Sequence, residues 1–184
     1  EQPKDKKYIK LNTNENPYPP SPKVLEAIKS AANGDLRLYP DPNCDNLREV
    51  IAQYYNLNKE QIFIGNGSDE VLAFSFLAFF NAGETIIFPD ISYSFYPVYA
   101  DLYNINYKLA KLDEEFSIPV SELMTDNGGV VIPNPNAPTG KYLDVDLIKK
   151  ILDYNSDKVV IIDEAYIDFG GTSVVGLIKD YPNL

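Results

Sequence analysis

Apolar positions along this chain follow two rhythms, and they alternate. Short continuous runs bounded by Gly, Pro, Asn or Asp predict strands in "GETIIFP", "INYKLAKL", "GGVVIPNP" and "KVVIID", with a further short one in "QIFIG". Between them, apolar residues recur at helical spacing in "CDNLREVIAQYYNL", "SDEVLAFSFLAFF", "SFYPVYADLYN" and "DVDLIKKILDYN". Upstream, "SPKVLEAIKSAANG" predicts a helix with Ser21 as N-cap, Pro22 at the first helical position and Gly34 past its end. Val24, Leu25, Ile28, Ala31 and Ala32 form its expected buried stripe. "LNTNENPYPPSP" and "RLYPDPN" carry too many prolines for helix or central strand and read as extended segments. Strands alternating with helices imply crossover connections, hence an α/β class with a mostly parallel sheet covered by helices on both faces. The expected division is residues 1–34 as an arm with the first helix, and 35–184 as part of one larger domain.

In such sheets ligands collect beyond the carboxyl ends of the strands, and three polar clusters fall there. "IFIGNGSDE" runs from a strand through Gly65 and Gly67 to a helix starting near Ser68 or Asp69. It is a plain turn with Ser68 as cap, or a cradle whose free N–H groups take a phosphate. "IPNPNAPTG" is an elaborate turn, or a rigid loop holding one side chain in a fixed pose. "IIDEAY" brings Asp163 to the end of a strand that reads as fully buried, where a carboxylate needs a cation or several donors. A Lys or Arg partner or a helix N-cap meets that need, and so does a protonated heteroaromatic nitrogen. Tyr166, three residues on, can reach the same ring. Phosphate cradle, rigid asparagine loop, acid and tyrosine together describe a pyridoxal phosphate site.

Composition narrows the chemistry. A formal charge of −11 argues against nucleic acid or an anionic membrane surface as partner. The longest apolar run, "VLAFSFLAFF", predicts a buried helix and not a membrane span. The single cysteine, Cys44, fits a reducing cytoplasm. With no histidine, Ser-His-Asp and Cys-His catalysis are excluded within these residues, and no metal site is expected. Chemistry here calls for a borrowed cofactor. Tyr54, Tyr55, Tyr99 and Tyr103 are expected to pack on helix faces, and "LDEEF" (Asp113 to Glu115 within it) to be a solvated loop.

Six stretches in order, "LNTNENPYPPSP", "LRLYPDP", "GNGSDE", "FPDISYSFYPVYA", "NPNAPTG" and "DEAYIDF", carry a resemblance to the fold-type I pyridoxal-phosphate aminotransferases, most nearly their histidinol-phosphate branch. The resemblance implies pyridoxal 5′-phosphate as cofactor, held at its phosphate by backbone groups of Ser68 and Asp69. Tyr93 would stack on the pyridine ring, Asp163 pair with its N–H, and Tyr166 bind its 3′ oxygen. Tyr39 would reach a partner subunit's phosphate in a homodimer, and Asn14, Glu15, Asn16 and Tyr18 would cover the substrate. The family places asparagine directly before Pro-Thr-Gly; here that position is Ala137, with Asn136 one residue earlier. The family's reactive lysine follows the "DEAY" motif in a Ser-Lys context, whereas the 18 residues after Tyr166 contain only Lys179, expected on the wet side of an amphipathic helix with Val174, Leu177, Ile178 and Tyr181 inward. The implied reaction, in a longer protein with a small C-terminal domain, exchanges an amino group between glutamate and imidazole acetol phosphate to give histidinol phosphate and 2-oxoglutarate. This chain alone is expected to be an inactive fragment. A phosphothreonine decarboxylase-like lyase and a non-catalytic module binding a phosphorylated ligand are the alternatives.

Overall fold

The computed structural model describes Asp5, Lys6 and residues 8–184. Two compact units divide after Pro42. In the first, helix α1 (Pro22–Ala31) begins as its sequence dictates: Pro22 opens it and Ser21 Oγ accepts from the Val24 N–H. Its expected buried stripe is instead exposed, with Val24, Leu25 and Ile28 all open to solvent. Among its described residues this unit adds only a 3₁₀ turn (Gly34–Arg37) and irregular proline-rich chain, and neither covers that stripe.

The second unit holds α2 (Asp45–Tyr55), α3 (Gly67–Phe79), β1 (Thr85–Pro89), α4 (Tyr96–Leu102), β2 (Asn106–Ala110), α5 (Val120–Leu123), β3 (Gly129–Pro133), α6 (Val145–Tyr154) and β4 (Val160–Asp163). The four strands form one wholly parallel sheet in the order β2-β1-β3-β4. Successive side chains of a strand point to opposite faces, and the core divides accordingly. Ile86, Phe88 and Val131 meet Leu72 and Phe76 of α3 and Tyr96, Tyr99 and Ala100 of α4. Ile87, Val130, Ile132 and Val160 meet Leu123 of α5 and Ile148, Ile151 and Leu152 of α6. Both faces are therefore covered, as the alternating pattern predicts. Register sets Pro133 opposite Asp163 at the carboxyl end.

Five expectations are corrected. "QIFIG" is no strand. Ile62 has extended dihedrals, but its carbonyl accepts from Arg48 Nε at 2.9 Å instead of joining a ladder. Phe63–Gly65 and Ile161–Glu164 line one groove of about 650 Å³, and the two segments form no ladder with each other. Nor is β4 fully buried. It is an edge strand, so only Val160 is sealed and Ile161, Ile162 and Asp163 are half-buried. Helix α3 is apolar all round, yet only Leu72 and Phe76 are buried while Phe74, Leu77 and Phe79 face outward. Tyr54 and Tyr55 are both exposed, their rings T-shaped to each other at 4.8 Å, whereas Tyr99 is buried and Tyr103 packs against the core as expected. Near the end, the expected amphipathic helix is a 3₁₀ turn (Val175–Lys179), with Val174 buried and Lys179 exposed.

Candidate functional site

The carboxylate at the end of β4 is supplied with donors by the elements around it. Tyr96, the first residue of α4, donates its hydroxyl to Asp163 Oδ2 at 2.7 Å, and the Ala165 N–H donates to Oδ1 at 3.1 Å. An ionised carboxylate accepts about four hydrogen bonds, so acceptor capacity remains on the cavity side. The neighbouring Glu164 turns the other way and accepts from Ser173 Oγ and the Val174 N–H at 2.6 and 2.7 Å, tying down the following segment. One acid serves the site and the other the chain.

A cavity of about 140 Å³ opens on Asp163. Ser68 and Leu72 from α3, Tyr93, the loop residues Pro133, Pro135 and Ala137, and Ala165 and Tyr166 complete its wall. Of the residues singled out in the sequence, Ser68, Tyr93, Asp163 and Tyr166 thus come together. Ser68 sits in the first turn of α3 and is not its cap; Asn66 holds that position. The first turn's N–H groups have no intrahelical acceptors and favour an anion. Two glycines shape this approach: Gly67 turns into the helix with φ +82°, and a Cβ on Gly65 would come within 2.7 Å of Val71 Cγ2.

Asp69 stands one step back from the cavity. Its carboxylate accepts the Tyr93 hydroxyl and, at 3.4 Å, that of Tyr99. Tyr93 is further fixed by Phe95 stacked at 5.7 Å and by the Tyr96 ring set edge-on at the same distance.

Asn136 is buried but does not line the cavity; Ala137 does. The Asn136 amide donates to the Ile91 carbonyl at 2.9 Å and to Thr139 Oγ1 at 3.0 Å, fastening the loop from behind. Its Oδ1 accepts nothing among the described residues. Asn134 anchors the same loop: its side chain exchanges hydrogen bonds with the Leu143 backbone at 3.1 and 2.8 Å, and its N–H donates to the Asp163 carbonyl at 2.8 Å. The loop's asparagines hold backbone, and the cavity receives a methyl group.

The remaining sequence-selected residues belong to the first unit. There Glu15 pairs with Lys10, Asn16 Oδ1 accepts the Tyr18 N–H at 3.0 Å, Asn14 has φ +51°, and Tyr18 and Tyr39 are exposed. Tyr96 is the residue that sequence reasoning passed over. The available signal was general: a tyrosine inside an apolar helix start needs a partner for its hydroxyl once buried.

Burial first, and the Asp163 charge second, raises the hydroxyl pKa of Tyr96 far above the ordinary 10.0. Burial and then the Asp69 carboxylate do the same for Tyr93, and push Tyr99 up to about 12. A tyrosine raised on folding adds stability that is complete below its unfolded value and is lost as pH climbs toward the folded one. We expect the fold to weaken from about pH 10 upward, with the phenolate absorbance of these three appearing only as the chain unfolds. Absorbance at the phenolate band, recorded alongside circular dichroism in an alkaline titration, checks this; full tyrosine ionisation with the fold intact would contradict it.

No group of three or more His, Cys, Asp or Glu residues suited to a metal ion occurs among the described residues. No described helix is long and apolar enough to cross a membrane.

Residues 6–184 match the family model described as aminotransferase class I and II. A histidinol-phosphate aminotransferase of Clostridium botulinum (strain 657 / Type Ba4) is 72% identical over all 184 residues, which make up 52% of that protein. One of Clostridium acetobutylicum is 64% identical over the same span, again 52% of its length. The solved structure of histidinol-phosphate aminotransferase from Sinorhizobium meliloti in complex with pyridoxal-5′-phosphate shares the fold with a TM-score of 0.83 at 22% identity, over 93% of this chain and 48% of that one. The chain spans about half the length of the curated relatives it matches.

Proposed function

The chain belongs to the class I and II aminotransferases, and from that premise we propose that it is part of a protein exchanging an amino group between glutamate and imidazole acetol phosphate. The products are 2-oxoglutarate and L-histidinol phosphate, the cofactor is pyridoxal 5′-phosphate, and the setting is cytoplasmic histidine biosynthesis. Identity of 72% with a histidinol-phosphate aminotransferase supports the substrate assignment. The observation that carries the reading is the convergence of Ser68, Tyr93, Asp163 and Tyr166 on one cavity at the carboxyl end of a parallel sheet.

The donor set fits the cofactor. Asp163 keeps acceptor capacity toward the cavity for a protonated ring nitrogen, an aromatic ring stands beside it, and α3 turns its open N–H groups the same way. Bound there, the cofactor supplies an electron sink for the carbanion formed at the substrate's α-carbon. Asp163 holds the ring nitrogen's proton, Tyr93 covers the ring, and backbone groups of Ser68 and Asp69 take the phosphate. Because the Ala137 side chain offers no donor, the ring oxygen depends on the Tyr166 hydroxyl. Asn136 contributes by fixing the loop. Tyr39 serves the phosphate of a second subunit in a homodimer, and Asn14, Glu15, Asn16 and Tyr18 close over the substrate.

No lysine or arginine is among the residues lining the cavity. The lysine that bonds the cofactor, and the cations that meet phosphate and carboxylate, are therefore assigned to the portion of the relatives that this chain does not span. Assay of the full-length protein tests the function. Glutamate-dependent amino transfer to imidazole acetol phosphate is expected, with no turnover by residues 1–184 alone. Release of carbon dioxide from O-phosphothreonine without amino transfer would replace it with the lyase reading.

A further inference from the structure

We propose that Tyr96 is a positioning residue, holding the Asp163 carboxylate in the orientation from which it meets the cofactor's ring nitrogen. The inference rests on the reading of Asp163 given above and adds to it the group that makes that acid directional.

A carboxylate on a half-buried edge strand turns freely about its terminal bond unless both oxygens are engaged. The Ala165 N–H engages one oxygen from the acid's own turn. Among the described residues the other is engaged by Tyr96 alone, from 67 residues earlier in the chain and from a different layer of the fold. Tyr96 itself has no room to move. It is wholly buried, stacked on Phe76 of α3 at 6.2 Å and set against Phe88 of β1 at 5.7 Å and Tyr93 at 5.7 Å. Its hydroxyl therefore reports the position of the helix–sheet layer directly to Asp163. The same ring touches Tyr93, so the face of the cavity that stacks and the face that pairs are set by one side chain. The two hydrogen bonds to Asp163 leave its oxygens with lone pairs for a third donor from the cavity.

The test uses residues 1–184 as wild type, Tyr96→Phe, Asp163→Asn and the double variant, with ring-¹⁵N pyridoxine 5′-phosphate as probe. Lacking an aldehyde, it cannot bond surface lysines. Affinity, the ring nitrogen's chemical shift and the melting temperature without ligand are recorded. Tyr96→Phe is expected to weaken binding roughly three- to tenfold and to move the ring nitrogen toward its unprotonated shift. In the Asp163→Asn background, where no carboxylate remains to be aimed, the same change is expected to alter affinity less than about twofold. If Tyr96→Phe weakens binding equally in both backgrounds, or lowers the melting temperature with the nitrogen shift unchanged, the hydroxyl only supports the fold and the inference is overturned. If Asp163→Asn weakens binding while Tyr96→Phe binds as wild type, the inference alone falls. If Asp163→Asn binds as wild type, or the wild type does not bind, the cofactor reading falls first and takes the inference with it.

Discussion

Asp163→Ala is expected to lower affinity for pyridoxine phosphate by roughly 10- to 100-fold and to lower the melting temperature too, whereas Asp163→Asn is expected to lose the affinity and keep most of the stability. The first effect follows from removing a charge-assisted hydrogen bond, worth about 1.5–3 kcal/mol, which converts to that range of affinity. The second follows from Tyr96. Its ring is fully buried and its hydroxyl donates to Asp163 at 2.7 Å. Alanine leaves that hydroxyl without its acceptor, at a cost of about 1–3 kcal/mol, or roughly 3–10 °C in a unit of this size. Asparagine keeps an oxygen there but cannot hold a ring nitrogen protonated. Calorimetry of binding and of unfolding measures the two losses separately. Equal melting temperatures for the two variants would mean that the Tyr96 bond does not stabilise the fold.

Phe76→Ala costs about 3–5 kcal/mol, the range for truncating a fully buried aromatic side chain, and lowers melting by roughly 6–20 °C. Phe76 is 0% exposed and lies against the rings of Phe80, Tyr96 and Tyr99 at 5.4, 6.2 and 5.5 Å. It joins the helix that carries Ser68 to the ring that holds Asp163, so the cavity forfeits its geometry along with the core its packing. Phe74, two positions away on the same helix, is 47% exposed. Phe74→Ala is expected to cost under about 1 kcal/mol. Denaturant unfolding of the pair decides the matter: similar losses for both would show that α3 is buried all round in solution.

The sheet was legible in the sequence because its strands are short apolar runs between helical stretches, and β1 to β4 fall where those runs lie. What a run of apolar residues does not encode is the number of neighbours it will have. "KVVIID" and "QIFIG" read alike, yet β4 pairs on one side and the segment at Phe63 on neither. Composition likewise predicts burial for all of α3 and for the stripe on α1, although burial requires a covering element that the nearby sequence does not name. At the site, Asp163 was legible because it ends a strand, Ser68 because it lies at a helix start, Tyr166 because it follows Asp163 by three residues, and Tyr93 only through the family resemblance. Asn136 and Ala137 differ by one residue, and only the loop's path decides which of them meets the cavity. Tyr96 was illegible for a related reason: its partner lies 67 residues away, and the contact exists only once α4 has packed on the sheet.

The most direct test is an amide chemical-shift map of residues 1–184 titrated with pyridoxine phosphate. If the cavity is the cofactor site, saturable shifts concentrate at Ser68, Asp69, Tyr93, Ala137 and Asp163 to Tyr166, and vanish in Asp163→Ala. Shifts scattered over exposed lysines such as Lys179, or a pattern untouched by that variant, would show that the strand ends form no such site.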